Sequence, residues 1–256
     1  IFKTNFKDRK ARVITSIAMF YDLDEPLKFV KEIFDILSDD GIWVFEQSYL
    51  PFMLEVNAFD TICHEHQEYY RLKEMHWMMK KVGFKIVDIE FNKVNGGSFS
   101  VTVAKSGSSF PEAPDLAKLL TKEENQGLNT NKPYDEFRNR IYKFKSDLRQ
   151  VIDKINHEKS LILGYGASTK GNILMQFVGI TIKDIPYIGE VNPDKFGCYT
   201  PGTLIPIISE DEARKMKPDY FFVFPWHFKD FIMGKERKKS DKGYSFLFPL
   251  PSIEIL

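Results

Sequence analysis

Between Phe59 and Tyr70 the chain reads Phe-Asp-Thr-Ile-Cys-His-Glu-His-Gln-Glu-Tyr-Tyr, which puts two imidazoles, three carboxylates and a thiol into twelve residues. No other stretch is as dense in groups that carry protons. An imidazole titrates near neutrality, and an adjacent carboxylate can orient it and stabilise its protonated form. His66 with Glu65 beside it therefore reads as a general base able to take a proton from a carbon next to a carbonyl. A metal is not expected. His64 and His66 at i, i+2 point to opposite sides of an extended chain, and Glu68 stands where His-Glu-x-x-His needs its second histidine. A surface loop with incidental histidines is the bland alternative.

A second candidate is the glycine-rich turn Gly164-Tyr-Gly166-Ala-Ser168-Thr169-Lys170-Gly171-Asn172, which follows the apolar run Leu161-Ile-Leu163. Glycines after a strand let backbone amides approach an anion, and the positive end of the next helix faces it. A phosphate or pyrophosphate could sit there with Lys170 and the hydroxyls of Ser168 and Thr169. The pattern is neither a Walker loop, because Lys170 precedes Gly171, nor G-x-G-x-x-G, because Thr169 takes the third glycine position. Glu190 falls about 24 residues past Gly166, near where an acid meets a ribose hydroxyl. The alternative is a tight strand-to-helix turn that binds nothing. Trp226-His227 could stack on a sugar or base, or be a buried Trp with a capping His. Asn95-Gly-Gly-Ser98 reads as a hairpin turn ahead of a ligand loop. Cys198 has no neighbouring base and reads as structural.

The elements that must position these groups follow α/β spacing. Arg12 to Phe20 is a β-rich run. A helix should begin at the acids and proline of Asp22 to Pro26 and keep near-3.6 spacing through Leu27, Val30, Phe34 and Leu37, until Ser38-Asp-Asp-Gly41 stops it; Ile42 to Phe45 resumes as a buried strand. Met75, Met78, Met79 and Val82 mark a helix ending at Gly83, and Phe84–Phe91 and Ser98–Ala104 alternate as two strands around Asn95-Gly-Gly. Apolar residues from Tyr134 to Ile155 at spacings of three or four predict one long amphipathic helix. Strands then recur at Pro186–Gly189, Tyr220–Phe224 and Phe246–Pro251, with a helix over Ile173–Val178.

With 256 residues, 43% hydrophobic and 28% charged, the chain can bury a sizeable core in one large or two ordinary domains. Thirty-six basic residues balance thirty-six acidic ones, so net charge argues for neither a nucleic-acid nor a membrane partner. Two cysteines fit a reducing compartment, and a cytoplasmic protein is expected. The chain opens Ile-Phe-Lys with no initiator Met and reads as a fragment.

Taken together, Phe59-Asp-Thr-Ile-Cys-His-Glu-His66 with Tyr69-Tyr70, Asn95-Gly-Gly-Ser98, the turn 164–172, Glu190-Val-Asn-Pro-Asp-Lys195 and Pro201-Gly-Thr203 resemble the deoxysugar C-methyltransferases, from about Arg12 to the C-terminus. Members of that family use S-adenosylmethionine on nucleotide-linked keto sugars. The resemblance implies a partial class I methyltransferase Rossmann-like domain over 1–105, a helical linker over 106–158, and a second Rossmann-like α/β domain that holds the nucleotide sugar over 159–256. Zinc would belong only to a preceding region, as would the glycine-rich cofactor loop and its acidic partner. This fragment alone is expected to bind the cofactor poorly or not at all and to be inactive.

Carried over by position, the family's Tyr-x-Glu-His pattern falls on Cys63, Glu65 and His66. Cys63 stands where a tyrosine is usual; a thiol cannot donate as a phenol does, which leaves Tyr69 or Tyr70 to compensate. Ser168, Thr169, Lys170, Gly171, Asn172 and Glu190, with Tyr69, are the implied substrate contacts, the Lys170 turn holding the diphosphate. Ala18, Met19 and Phe20 are the implied contacts to the methionine end of the cofactor. The implied partner is a dTDP-type keto sugar, and the implied reaction is methyl transfer to the carbon alpha to the keto group through an enolate. A non-catalytic nucleotide-sugar-binding module is the alternative, and an NAD-dependent oxidoreductase using the Gly164 turn a further one.

Overall fold

In the computed structural model the described residues are 9–236 and 243–256. They form two compact units, Ile1–Glu55 with His64–Glu136, and Val56–Cys63 with Phe137–Leu256.

The first unit is built on β1 (Ala11–Ile17), α1 (Pro26–Ile36), β2 (Leu37–Ser48), α2 (Leu50–Glu55), α3 (Leu72–Val82), β3 (Phe84–Asn92), β4 (Ser98–Lys105) and α4 (Leu116–Asn125). Its sheet runs β1-β2-β4-β3, parallel between β1 and β2 and antiparallel elsewhere. α1 makes the crossover that a parallel pair requires, with Pro26 in its first turn, where a missing N–H costs nothing. Along β2 burial alternates from Gly41 to Gln47, so Trp43 and Phe45 point into the core. There they meet Phe20, with ring centroids 5.9 and 5.7 Å away. Met75 and Met79 of α3 close the same core.

One local expectation is corrected. Ser38–Gly41 does not separate helix from strand: the helix ends at Ile36, and β2 starts at Leu37 with an irregular register, from Ala11 opposite Leu37 to Val13 opposite Ile42. Leu37 is fully buried, and that burial outweighs the turn propensity of Ser-Asp-Asp-Gly. The β3–β4 turn is a 3-10 turn over Val94–Gly96 followed by Gly97 at φ +118°, where a Cβ would fall 2.5 Å from the Phe52 Cβ. A glycine is required there by the close approach of α2.

α4 was not evident from spacing, and it carries an unusual cap. The carboxylate of Glu123, 3% exposed, accepts the Tyr49 hydroxyl at 2.7 Å and the amides of Leu72 and Lys73 at 2.6 and 3.0 Å. It thereby satisfies two of the open N–H groups of the first turn of α3 from a separate helix.

The second unit contains most of α5 (Lys132–His157), then β5 (Ile162–Tyr165), α6 (Thr169–Val178), β6 (Ile188–Glu190), β7 (Ile207–Ser209), α7 (Glu210–Lys215), β8 (Tyr220–Val223), α8 (Lys229–Glu236), β9 (Ser245–Phe248) and β10 (Glu254–Ile255). The sheet order is β10-β9-β8-β5-β6-β7, all parallel except β10. β5 lies between β6 and β8, so the chain reverses its direction of travel across the sheet at β5, and the carboxyl ends of β5 and β8 flank the switch point where such sheets place ligands. The glycines of the turn are explained by packing: Gly166 is at φ +79°, and a Cβ on Gly171 would fall 2.8 Å from the Phe224 Cβ. α6 sits tight against the end of β8.

Glu123→Ala leaves a hydroxyl and two amides without their acceptor, and it should destabilise the first unit by about 3 kcal/mol, with Glu123→Gln costing less. Urea unfolding followed by Trp fluorescence measures both.

Candidate functional site

The stretch singled out by its chemistry divides between the units. Val56–Cys63 belongs to the second, and His64 onward to the first.

In the first unit, the amides of Gln67 and Glu68 both donate to the Tyr21 carbonyl, at 3.1 and 3.2 Å, and Gln67 Nε2 donates to Asp24 Oδ1 at 2.7 Å. These bonds stitch the loop to the 3-10 turn Phe20–Asp22 and set the His66 ring 4.4 Å from the Tyr21 ring, tilted at 55°. His66 is half-buried, and Glu65 is exposed. Asp22 is a neighbouring carboxylate that spacing did not reveal. It reaches solvent, yet its pKa lies above the ordinary carboxylate value: partial desolvation raises it, His66 pulls it down, and Glu65 pushes it up. Asp22 thus lies within electrostatic reach of both His66 and Glu65.

Tyr70 is buried in the core against Phe20, with its hydroxyl without a hydrogen-bond partner among the described residues. Burial, then the charge of Glu68, raises that phenol's pKa. Tyr69 is half-buried. Ala18 is exposed, at φ +51°, directly past the end of β1, and its amide donates to the Glu46 carbonyl at 2.8 Å. Met19 is half-buried, and the Phe20 ring is fully buried, so Phe20 has only its backbone to offer a ligand.

In the second unit, the segment before Cys63 is firmly seated. Phe59 lies 5.5 Å from the ring of Phe144 and 4.9 Å from that of Phe177, and Asn57 Oδ1 accepts from Arg140 Nε at 2.8 Å. Asp60, 1% exposed, accepts from Trp226 Nε1 at 2.6 Å through Oδ2, while Oδ1 has no hydrogen-bond partner among the described residues. Burial raises the Asp60 pKa, and Lys170 and the indole oppose it; burial lowers the Lys170 pKa, and Asp60 and Cys63 oppose that. His227 is held near 4 by desolvation and then by Lys170, so its imidazole is neutral, with a buried Nδ1 unpartnered among the described residues. Sequence reasoning singled out Lys170, Cys63 and the Trp226-His227 pair, but missed Asp60 and the grouping of these residues. The available signal was a Trp-His pair at the end of an all-apolar strand.

The turn itself is largely self-satisfied. Ser168 Oγ accepts from the Gly171 amide at 3.0 Å and caps α6, and the Ala167 amide donates to Glu190 Oε2 at 2.9 Å. Glu190 Oε1 takes the amides of Val191 and Asn192 at 2.7 and 3.0 Å, and Lys195 Nζ is 3.5 Å from Oε2. Burial raises the Glu190 pKa, but the three N–H groups and Lys195 outweigh it and hold the carboxyl below its ordinary value. Thr169 is exposed, and Asn172 is half-buried. Beside the turn lies a pocket of about 490 Å³, apolar along Val191, Phe228, Phe231 and Ile232, with Glu210 and Lys235 paired at 3.1 Å on its lining. Among the described residues no cluster of His, Cys, Asp and Glu could hold a metal ion, and no helix is long and apolar enough to cross a membrane.

Residues 93–251 match the family of C-methyltransferase C-terminal domains, and residues 2–89 match a methyltransferase domain. The chain is 28% identical over 246 residues to the C-methyltransferase NovU of Streptomyces niveus, covering 96% of this chain and 59% of that protein. It thus spans less than two thirds of that relative. Among solved structures, it resembles the methyltransferase in complex with the Haloferax volcanii Trm112 activator, at 12% identity and TM-score 0.35 over 40% of this chain and 56% of that one. It also resembles a methyltransferase of Bacillus halodurans, at 11% identity and TM-score 0.33 over 40% and 67%. Overlaps this loose carry no detail of the site. The fold is the α/β methyltransferase fold with mixed sheets.

Glu190→Gln puts an amide donor opposite backbone N–H groups and should cost the second unit about 2 kcal/mol near neutral pH. Because the folded carboxyl is depressed, its stabilisation is present above the unfolded value of about 4.3 and lost as pH falls through the folded one. Thermal melts of the two proteins should therefore converge towards acid.

Proposed function

The chain belongs to the family of C-methyltransferase C-terminal domains, and from that premise we propose that the complete protein methylates the carbon alpha to the keto group of a nucleotide-linked, dTDP-type deoxysugar. The observation that carries this reading is the docking of the His66 loop on Tyr21, which holds a half-buried imidazole among the carboxylates Asp22 and Glu65. A base held this way can take an alpha proton without waiting for the loop to order.

The proton passes from carbon to the His66 imidazole, and the electron pair of the broken C–H bond moves into an enolate. Asp22 lies within electrostatic reach of the ring that takes the proton. S-adenosylmethionine, when bound, supplies a methyl group on a sulfonium that a carbon nucleophile can take. Ala18 fits its methionine end: the residue is exposed, at positive φ, just past the carboxyl end of a parallel strand. Met19 and the backbone of Phe20 continue that contact.

In the second unit, the apolar pocket beside the glycine turn suits the nucleoside, and Thr169 and Asn172 at the positive end of α6 suit the diphosphate. Ser168, Gly171 and Glu190 serve the turn's shape. Tyr69 is assigned to the sugar, and Cys63 occupies the family's tyrosine position. The 28% identity to NovU supports methyl transfer to carbon as the reaction type.

His66→Gln in the complete enzyme should abolish exchange of the substrate's alpha proton with deuterated solvent, followed by NMR, while leaving dTDP binding intact. Persistent exchange removes His66 as the base.

A further inference from the structure

The pocket beside the glycine turn lies wholly within the second unit, and one of its walls is a single face of α8 and the turn before it. Phe231, Ile232 and Lys235 lie three, four and seven residues past Phe228, so the four share a helix face, and all of them line the pocket. Ile232 belongs to the core, whereas Phe228 and Phe231 are exposed, as is Val191 on the same lining. From Phe231 to Lys235 the lining changes from phenyl ring to ammonium over about 6 Å of helix axis.

The ammonium is held in place by a chain of printed contacts. Lys235 Nζ donates to Glu210 Oε2 at 3.1 Å and to the Tyr165 hydroxyl at 3.3 Å, and both partners also line the pocket. Arg214 puts two nitrogens on Glu210 Oε1, at 2.9 and 2.6 Å, and is itself 2.8 Å from Glu236, which is fully buried and accepts the Tyr244 hydroxyl at 2.9 Å. Tyr165 and Glu210 are buried and the phenyl rings are exposed, so the ammonium marks the inner end of the pocket and the rings mark its mouth. The Lys235 side chain is 38% exposed against 11% for Glu210, which makes the ammonium the member of the pair that a ligand meets. Two carboxylates balance Arg214 and Lys235, and Glu190, also on the lining, has Lys195 beside it. The inner end therefore offers a directed donor with no surplus positive charge, which suits a neutral carbonyl and gives a phosphate little reason to bind.

We propose that this pocket seats the base of the nucleotide, with its ring against Phe228 and Phe231, and that Lys235 is a specificity-determining residue whose ammonium donates a hydrogen bond to the carbonyl at C4 of a keto pyrimidine. The assignment rests on the nucleoside reading above and narrows it to thymine or uracil. In a pyrimidine, C4 stands opposite the ring nitrogen that carries the sugar. A base entering with its sugar and diphosphate left outside therefore leads with that carbonyl. An ammonium has three N–H donors and no acceptor. Cytosine carries an amino group at C4, presents donor to donor, and forfeits the bond. Stacking on the phenyl rings is shared by every base and adds affinity without choosing among them.

The test titrates the complete enzyme with dTDP, dUDP and dCDP by calorimetry; dUDP and dCDP differ only in the group at C4 and its ring nitrogen. dTDP and dUDP should bind within about threefold of each other, and dCDP about tenfold or more weakly. Lys235→Met keeps an unbranched apolar stem and removes the ammonium. It should weaken dUDP by about tenfold while dCDP binds no more weakly than before, so the discrimination disappears. Phe231→Ala should weaken dUDP and dCDP alike. A preference for dUDP that survives Lys235→Met overturns the assignment, and so does an equal loss of both ligands, which marks a merely structural lysine. If Lys235→Met does not fold, equal affinity of the unmodified enzyme for dUDP and dCDP sinks the idea, as does dUDP binding indifferent to Phe231→Ala. An unmodified enzyme that binds none of the three overturns the nucleotide reading itself, whereas tight dUDP binding with indifferent variants overturns only the base pocket.

Discussion

A carboxylate cannot be taken out of water without compensation, and Asp60 is almost wholly out of water. Its compensation is the Trp226 indole at 2.6 Å and the positive charge of Lys170, supplied by the carboxyl end of β8 and the first turn of α6. The arrangement of the second unit follows from serving that one group. The glycine at 171 lets α6 come close enough to Phe224 for the turn to lie beside Trp226, and Phe59 fills the space between Phe144 and Phe177 so that Asp60 enters at the right depth. Packing holds the segment in place, and the buried charge makes any other seating expensive.

The same economy is seen in the first unit at Glu123. There a buried carboxylate ties α4 to the start of α3 by taking two backbone amides and a tyrosine hydroxyl, which raises the pKa of that phenol through burial first and the carboxylate second. Glu190 repeats the device in the second unit, binding three amides to lock the β5 turn to the end of β6. In each case an acid that composition would place on the surface is spent on backbone groups left open by an irregular segment. The acids that shape the turns are thereby distinct from those, Asp22 and Glu65, that are left near an imidazole.

What could be read from residue order is what depends on near neighbours. Apolar spacing located α5, α3, the hairpin strands and the run of buried strands, because periods of 3.6 and 2 are local properties. α4 escaped because its inward face includes Glu123, which no apolar count registers, and β2 began earlier than its turn residues implied because Leu37 is buried. The candidate base at His66 was visible as a density of titratable groups; its neighbour Asp22 was not, being some forty residues earlier in the chain. Asp60 and Trp226 lie 166 residues apart, and their bond could not be inferred from either neighbourhood. The glycine turn had two readings, anion cradle or tight packing. The structure gives packing a full account at Gly166 and Gly171 while leaving Thr169 exposed at the same helix start.

Cys63 shows why a departure from a family pattern is best judged on its surroundings. Alone, a thiol in place of a phenol removes a strong donor, and neither Tyr70, whose ring is in the core, nor an exposed Glu65 restores one. Considered with its neighbours, the position lies within the electrostatic reach of an ammonium that the fold has already desolvated and paired. An ammonium in a dry setting donates more strongly than a neutral phenol does, so the thiol at 63 does not leave its surroundings without a charged donor.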